Sequence, residues 1–225
     1  MKISGAIFDM DGTMINSTSF WNMIYNLFGK KYLSVNDFRP TAEHDRAMRT
    51  LVMKDAAHLL HDAYGIGDNG DALLEEMNQI IVDFYSNIVE LKPGVRELLE
   101  EFFKNGVKTC IASATDTYFL NIVVKRFGLD KYFPLILSCS DIGKGKEFPD
   151  VFLAAQSALG TPKESTWVFE DSLTAIKTAN AAGFNTVGVF DEYAFDVEEV
   201  PKYSKLYLAC GESFDNLLKD NRLEI

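Results

Sequence analysis

Gly5-Ala6-Ile7-Phe8-Asp9-Met10-Asp11-Gly12-Thr13-Met14 is the stretch that decides how this chain folds. Gly5 to Phe8 are small or apolar, as suits a strand buried on both faces. Asp9 and Asp11 follow at i and i+2, and alternate residues of an extended chain point to one side. Both carboxylates can therefore face one cleft. Gly12 allows a sharp turn where the strand ends, and Thr13 offers a hydroxyl there. Two like charges this close repel one another; a divalent cation or a phosphoryl group would resolve the conflict. A plain strand followed by an Asp-Gly turn fits the same residues. The choice depends on what partners the rest of the chain supplies.

Outward from Thr13 the pattern becomes helical. Ser17 or Thr18 is placed to cap a helix through Phe20, Trp21, Ile24, Tyr25, Leu27 and Phe28, with Gly29 as its stop. After Pro40, helical spacing runs from Thr41 to about Tyr64, with Met48, Leu51, Val52, Ala56, Leu59 and Leu60 as the expected buried stripe. A third helix is expected from about Asp71 to Ile88. No strand is expected in this block of about 75 residues, which reads as an all-helical insert.

From Pro93 the chain alternates helix and strand. Helices are expected from Pro93 to near Gly106 and at 116–127, 149–159 and 173–182. Strands are expected at 107–112, 135–138, 166–169, 186–190 and 205–208. Short apolar strands between amphipathic helices imply α/β architecture, a doubly wound, Rossmann-like parallel sheet covered on both faces. The expected division is a core of residues 1–14 and 91–225 and a small all-helical cap domain, 15–90, inserted after the first strand. Ligands of such sheets bind beyond the carboxyl ends of the strands.

Four consecutive strand ends carry chemistry. The first has Asp9 and Asp11. The second, Ile111-Ala112-Ser113-Ala114-Thr115-Asp116, puts a hydroxyl before a helix start, a ready anion site and equally an ordinary cap. The third leads into Gly143-Lys144-Gly145-Lys146-Glu147-Phe148-Pro149-Asp150. The fourth, Val168-Phe169-Glu170-Asp171-Ser172, brings two more acids, which would also suit a helix dipole. Singly each is weak; together they gather hard oxygen ligands, a hydroxyl and a cation at one sheet edge. Oxygen donors without His or Cys select Mg²⁺ over zinc, and a carboxylate in such a setting can attack phosphorus.

Composition sets the outer limits. The 225 residues carry a net charge of −11, which argues against broad binding to nucleic acid or to anionic membrane. A small phosphate ester needs only a few local cations. No apolar run approaches a membrane span, and no signal peptide precedes the aspartates, so a cytoplasmic location is expected. Cys110, Cys139 and Cys210 share no ligand spacing; Cys110 and Cys210 sit in apolar runs and read as buried, reduced thiols. His58 and His61, one turn apart, read as a solvated helix face rather than a metal site.

The four stretches resemble the motifs of the haloacid dehalogenase superfamily. Asp9-Met10-Asp11-Gly12-Thr13 looks like the first motif, Ser113 the second, and Lys146 in Lys-Glu-Phe-Pro-Asp the third. Glu170-Asp171-Ser172, with Ala181-Ala182-Gly183 following, looks like the fourth. The order is right and the resemblance spans essentially the whole chain. An insert just after the first motif points to the subgroup of beta-phosphoglucomutase, phosphoglycolate phosphatase and sugar-phosphate phosphatases. The resemblance implies Asp9 as nucleophile and Asp11 as general acid, then base. It implies Mg²⁺ held by Asp9, the Asp11 carbonyl and Asp171, with Glu170 acting through water. Ser113 and the Ala114 N–H would bind phosphoryl oxygens, and Lys146 would balance charge. The unliganded Asp11 should then titrate above the usual carboxylate range. Glu147-Phe148 and Ala175 depart from the family's usual residues without touching these roles.

The expected activity is Mg²⁺-dependent hydrolysis of a small phosphomonoester through an aspartyl-phosphate. A phosphomutase is the alternative, with Arg39, His44, Arg46, Arg49 and Lys54 of the insert as possible holders of a second phosphate. Asp116-Thr117 stands where the mutases tend to have Lys-Asn, which favours the phosphatase. A non-enzymatic phosphoryl receiver fits less well, because its acceptor aspartate lies on a later strand. The expected partner is a small phosphate ester, with a monomer plausible.

Overall fold

The computed structural model describes residues 2–49, 51 and 53–225. Two compact units divide the chain: residues 1–18 with 89–225, and residues 19–88.

In the first unit, β1 (Gly5–Phe8) is buried at every position. The insert contributes α1 (Phe20–Phe28), α2 (Ala42–Met48), α3 (Met53–Tyr64) and α4 (Gly70–Asp83), treated below; beyond it come α5 (Val95–Lys104), β2 (Lys108–Ser113) and α6 (Thr117–Arg126). They are followed by β3 (Ile136–Ser138), α7 (Cys139–Ile142), α8 (Asp150–Leu159), β4 (Thr166–Glu170) and α9 (Leu173–Ala181). The last elements are β5 (Asn185–Val189), α10 (Val200–Tyr203), β6 (Leu206–Leu208) and α11 (Asn216–Lys219). The six strands form one parallel sheet ordered β3-β2-β1-β4-β5-β6. β1 lies between β2 and β4, so the strand order reverses beside it, and a cleft opens there at the carboxyl ends.

Alternation along the strands builds two cores. On one face Ile7, Cys110 and Val168 meet Val151, Phe152, Ala155 and Ala175 of α8 and α9. On the other, Phe8 stacks on Phe169 at 4.3 Å between ring centroids, with Phe102, Phe133 and Phe214 around them. Ala175 is fully buried in the first core, so a small residue is required there by packing. Burial pushes the Cys110 thiol up to about 12. Cys139 is buried too, but Cys210 is exposed. Its apolar neighbours belong to the short strand β6, and Cys210 itself lies past the strand end, beside Gly211 at φ +80°.

The second unit is helical: α1 (Phe20–Phe28), α2 (Ala42–Met48), α3 (Met53–Tyr64) and α4 (Gly70–Asp83). Three local expectations are corrected. Neither Ser17 nor Thr18 caps α1: Ser17 Oγ accepts from the Gly12 N–H, and Thr18 Oγ1 donates to Asp191. Gly29 does not end the helix, which continues as a wider π turn to Leu33. The long helix from Thr41 is two helices, α2 and α3; of its expected buried stripe, Leu51 falls between them and is exposed, and Val52 lies outside the described residues. A π turn likewise prolongs α4 from Phe84 to Ile88. His58 pairs with Asp71 at 3.0 Å, while His61 Nδ1 lies 3.1 Å from the Ile66 carbonyl, so the two histidines have separate partners. No described helix is long and apolar enough to cross a membrane.

Candidate active site

The carboxyl edge of the sheet unit brings the motif residues together. Asp9 follows β1 directly and extends the ladder by one bond, its N–H donating to the Phe169 carbonyl at 3.0 Å. Its carboxyl is buried. Glu170 ends β4 and Asp171 follows it, both buried. One carboxylate oxygen from each of Asp9, Glu170 and Asp171 lies within 4.8 Å of the other two. Lys146, on the loop after β3 and α7, donates to Asp9 Oδ1 and to Glu170 Oε1, each at 2.5 Å. Its ammonium also lies 6.0 Å from the Phe152 ring centroid.

The charges explain the shape of the cluster. Burial opposes an ammonium, but Asp9 and Glu170 outweigh it and hold the Lys146 pKa above its ordinary value. Glu170 is pushed up, chiefly by burial and also by Asp9, with Lys146 working the other way. Asp171 is pushed well above the usual carboxylate range by burial, then by Glu170, Asp9 and Asp191. With all three acids ionised, one lysine leaves an excess of two negative charges. A dication matches that excess, and the donors are all hard oxygens. The residues present therefore fit Mg²⁺.

The turn after β1 is shaped around Asp171. Gly12 has φ +75°, and a Cβ on it would stand 2.6 Å from Asp171 Oδ2. Glycine answers both demands. Thr13 Oγ1 donates to Asp171 Oδ1 at 2.7 Å. Asp11 stands apart from the three-carboxylate group: its Oδ2 accepts from Thr115 Oγ1 at 2.8 Å. Thr115 N–H donates to Ser113 Oγ at 3.3 Å, and Ser113 is buried at the end of β2 with the exposed Ala114 beside it. All seven expected site residues thus lie at neighbouring strand ends of one unit.

Three participants escaped the sequence reading. Thr115 is one; its signal was its place two residues beyond Ser113 at the same strand end. Asp191 is the second, at the end of β5, where continuing the tally of strand ends to a fifth would have found it. Lys92 is the third, and nothing local marks it.

Comparison with known proteins agrees with this geometry. The family model described as haloacid dehalogenase-like hydrolase matches residues 6–189. A phosphorylated carbohydrates phosphatase of Thermotoga maritima is 24% identical over 222 residues, covering 97% of this chain and 99% of its own length. Two solved structures share the fold. A candidate beta-phosphoglucomutase of Thermotoga maritima has a TM-score of 0.77 at 22% identity, covering 99% of both chains. CbbY of Rhodobacter sphaeroides, in complex with phosphate, has a TM-score of 0.75 at 22% identity, covering 96% of both. With the family model spanning most of the chain and the four strand ends assembled in one cleft, the chain belongs to the haloacid dehalogenase-like hydrolase family.

Proposed function

We propose that the protein is a Mg²⁺-dependent phosphatase of small phosphomonoesters, sugar phosphates or similar metabolites. The observation that carries the reading is the buried group of Asp9, Glu170 and Asp171, with Lys146 bonded to two of them and Asp11 held apart. Asp9 attacks phosphorus and forms an aspartyl-phosphate, while Asp11 donates a proton to the departing alcohol oxygen. Asp11, now ionised, then takes a proton from the water that attacks the aspartyl-phosphate, restoring both groups. Ser113 Oγ and the Ala114 N–H hold phosphoryl oxygens, and Lys146 offsets the charge of Asp9 and the phosphate. Asp9, Asp171 and the Asp11 carbonyl would hold Mg²⁺, with Glu170 acting through water, and the ion when bound supplies further charge neutralisation. The helical unit selects the alcohol portion of the substrate. The relative named as a phosphorylated carbohydrates phosphatase supports this substrate class.

The test is phosphate release from a panel of phosphomonoesters with Mg²⁺, for the wild type and for Asp9→Asn. The variant should fold normally and lose at least about 10³-fold in kcat, the order expected for a missing nucleophile. Unchanged turnover in Asp9→Asn removes Asp9 from its role. No phosphate release, with sugar phosphates interconverted instead, assigns the mutase reaction.

A further inference from the structure

Lys92 is a buried ammonium that bonds to none of Asp9, Glu170 and Asp171, in the segment that returns to the sheet unit. Its Nζ donates to three oxygens: the Gly12 carbonyl, the Phe190 carbonyl at 2.7 Å and Asp191 Oδ2 at 3.4 Å. Its own N–H donates to the Met14 carbonyl at 2.8 Å. Asp191 in turn is nearly fully buried; its Oδ1 accepts from Thr18 Oγ1 at 2.7 Å and from the Tyr193 N–H at 2.9 Å. A buried ammonium is costly unless it is fully partnered, and here three oxygens partner it. Two are main-chain carbonyls of the turn that follows Asp11 and of the end of β5. The main chain of Lys92 grips the same turn a second time.

We propose that Lys92 is a positioning residue that braces the Gly12–Met14 turn against the end of β5. The turn carries the Asp11 carbonyl on one side and Thr13, the donor to Asp171, on the other. Bracing it keeps the oxygen donors and the proton carrier in register. Lys92 does not touch substrate; it acts through the turn. A displacement of about 1 Å in such a group costs up to about 10²-fold in rate. The inference rests on the phosphatase reading for its kinetic arm and on the Mg²⁺ placement of that reading for its binding arm.

The test compares wild type with Lys92→Met and Lys92→Arg. Lys92→Met should lower kcat by about 30-fold or more with KM within about threefold, because alignment rather than substrate affinity is lost. Lys92→Arg, which keeps donors for the two carbonyls, should recover at least about tenfold of that loss. The second readout needs no turnover: the rise in melting temperature on adding Mg²⁺ should be smaller in Lys92→Met than in wild type, and restored in Lys92→Arg. A purely electrostatic lysine predicts the opposite, since removing a cation near the acids would strengthen Mg²⁺ binding. An unchanged or larger Mg²⁺ shift in Lys92→Met therefore overturns the proposal, as does wild-type kcat. Should Lys92→Met not fold, Lys92→Gln, with one amide donor, takes its place under the same criteria. If wild type releases no phosphate while the Mg²⁺ shifts follow the stated order, the phosphatase reading fails and the brace stands.

Discussion

Asp171 is both tightly held and electrostatically crowded. Thr13 fixes one of its oxygens, and Gly12 leaves room for the other. Burial, then Glu170, Asp9 and Asp191, hold its pKa well above the usual range, and Glu170 is raised as well. A carboxyl raised in the folded state binds more protons folded than unfolded. Its contribution to stability is therefore best at acid pH and declines as pH rises from the unfolded value of about 4 through the raised folded one. Mg²⁺ needs the ionised forms, so its binding releases protons and strengthens as pH rises through that window. The rise in melting temperature on adding Mg²⁺ should accordingly be larger near about pH 7.5 than near about pH 5. Asp171→Asn should abolish most of the difference. Thermal unfolding at fixed ionic strength, with NaCl as control, measures it; an equal shift at both pH values contradicts the placement of Mg²⁺ on these acids.

At the scale of elements, Gly29 is the instructive case. A glycine after an amphipathic run reads as a helix stop, yet the chain stays helical through Leu33. The glycine answers to contact rather than to a stop: its backbone is helical, and a Cβ at Gly29 would fall 2.2 Å from the Cβ of Phe38. Gly29→Ala should therefore destabilise the helical unit by about 1–3 kcal/mol, the usual scale of overpacking, rather than lengthen a helix at no cost. Urea denaturation checks this; stability within about 0.5 kcal/mol of wild type would deny the contact any weight. The same contrast explains what could be read beforehand. β1 to β6 were legible to within a residue or two, because each is a short, largely apolar run between turns or helix stops. Asp9, Asp11, Ser113, Ala114, Glu170 and Asp171 were legible as candidates because each ends or closely follows such a strand, and Lys146 because it lies in a glycine-flanked loop ahead of a helix. Ser17 and Thr18 misled, since hydroxyls fit for local capping are bound to Gly12 and Asp191 instead. Thr115 and Lys92 were hidden for a related reason: their partners lie 104 and 80 residues away, at Asp11 and Gly12. Local pattern cannot report such pairs.

Over the whole molecule the charge is one-sided. Residues 19–88 hold six Lys and Arg against ten Asp and Glu; the remainder holds sixteen against twenty-three. Both units are therefore net negative, so on the proposed reading a dianionic phosphate ester should meet net repulsion on approach. This arrangement separates local recognition from long-range approach: attraction operates at contact, while the surrounding field favours no indiscriminate polyanion. Screening should reveal it. Raising monovalent salt from about 10 mM to about 150 mM shortens the Debye length from about 30 Å to about 8 Å. With Mg²⁺ kept saturating, kcat/KM for a phosphomonoester dianion should rise by about two- to fivefold over that range, with kcat nearly constant, because only the encounter is affected. A steep fall in kcat/KM with salt would instead mean that cations steer the substrate.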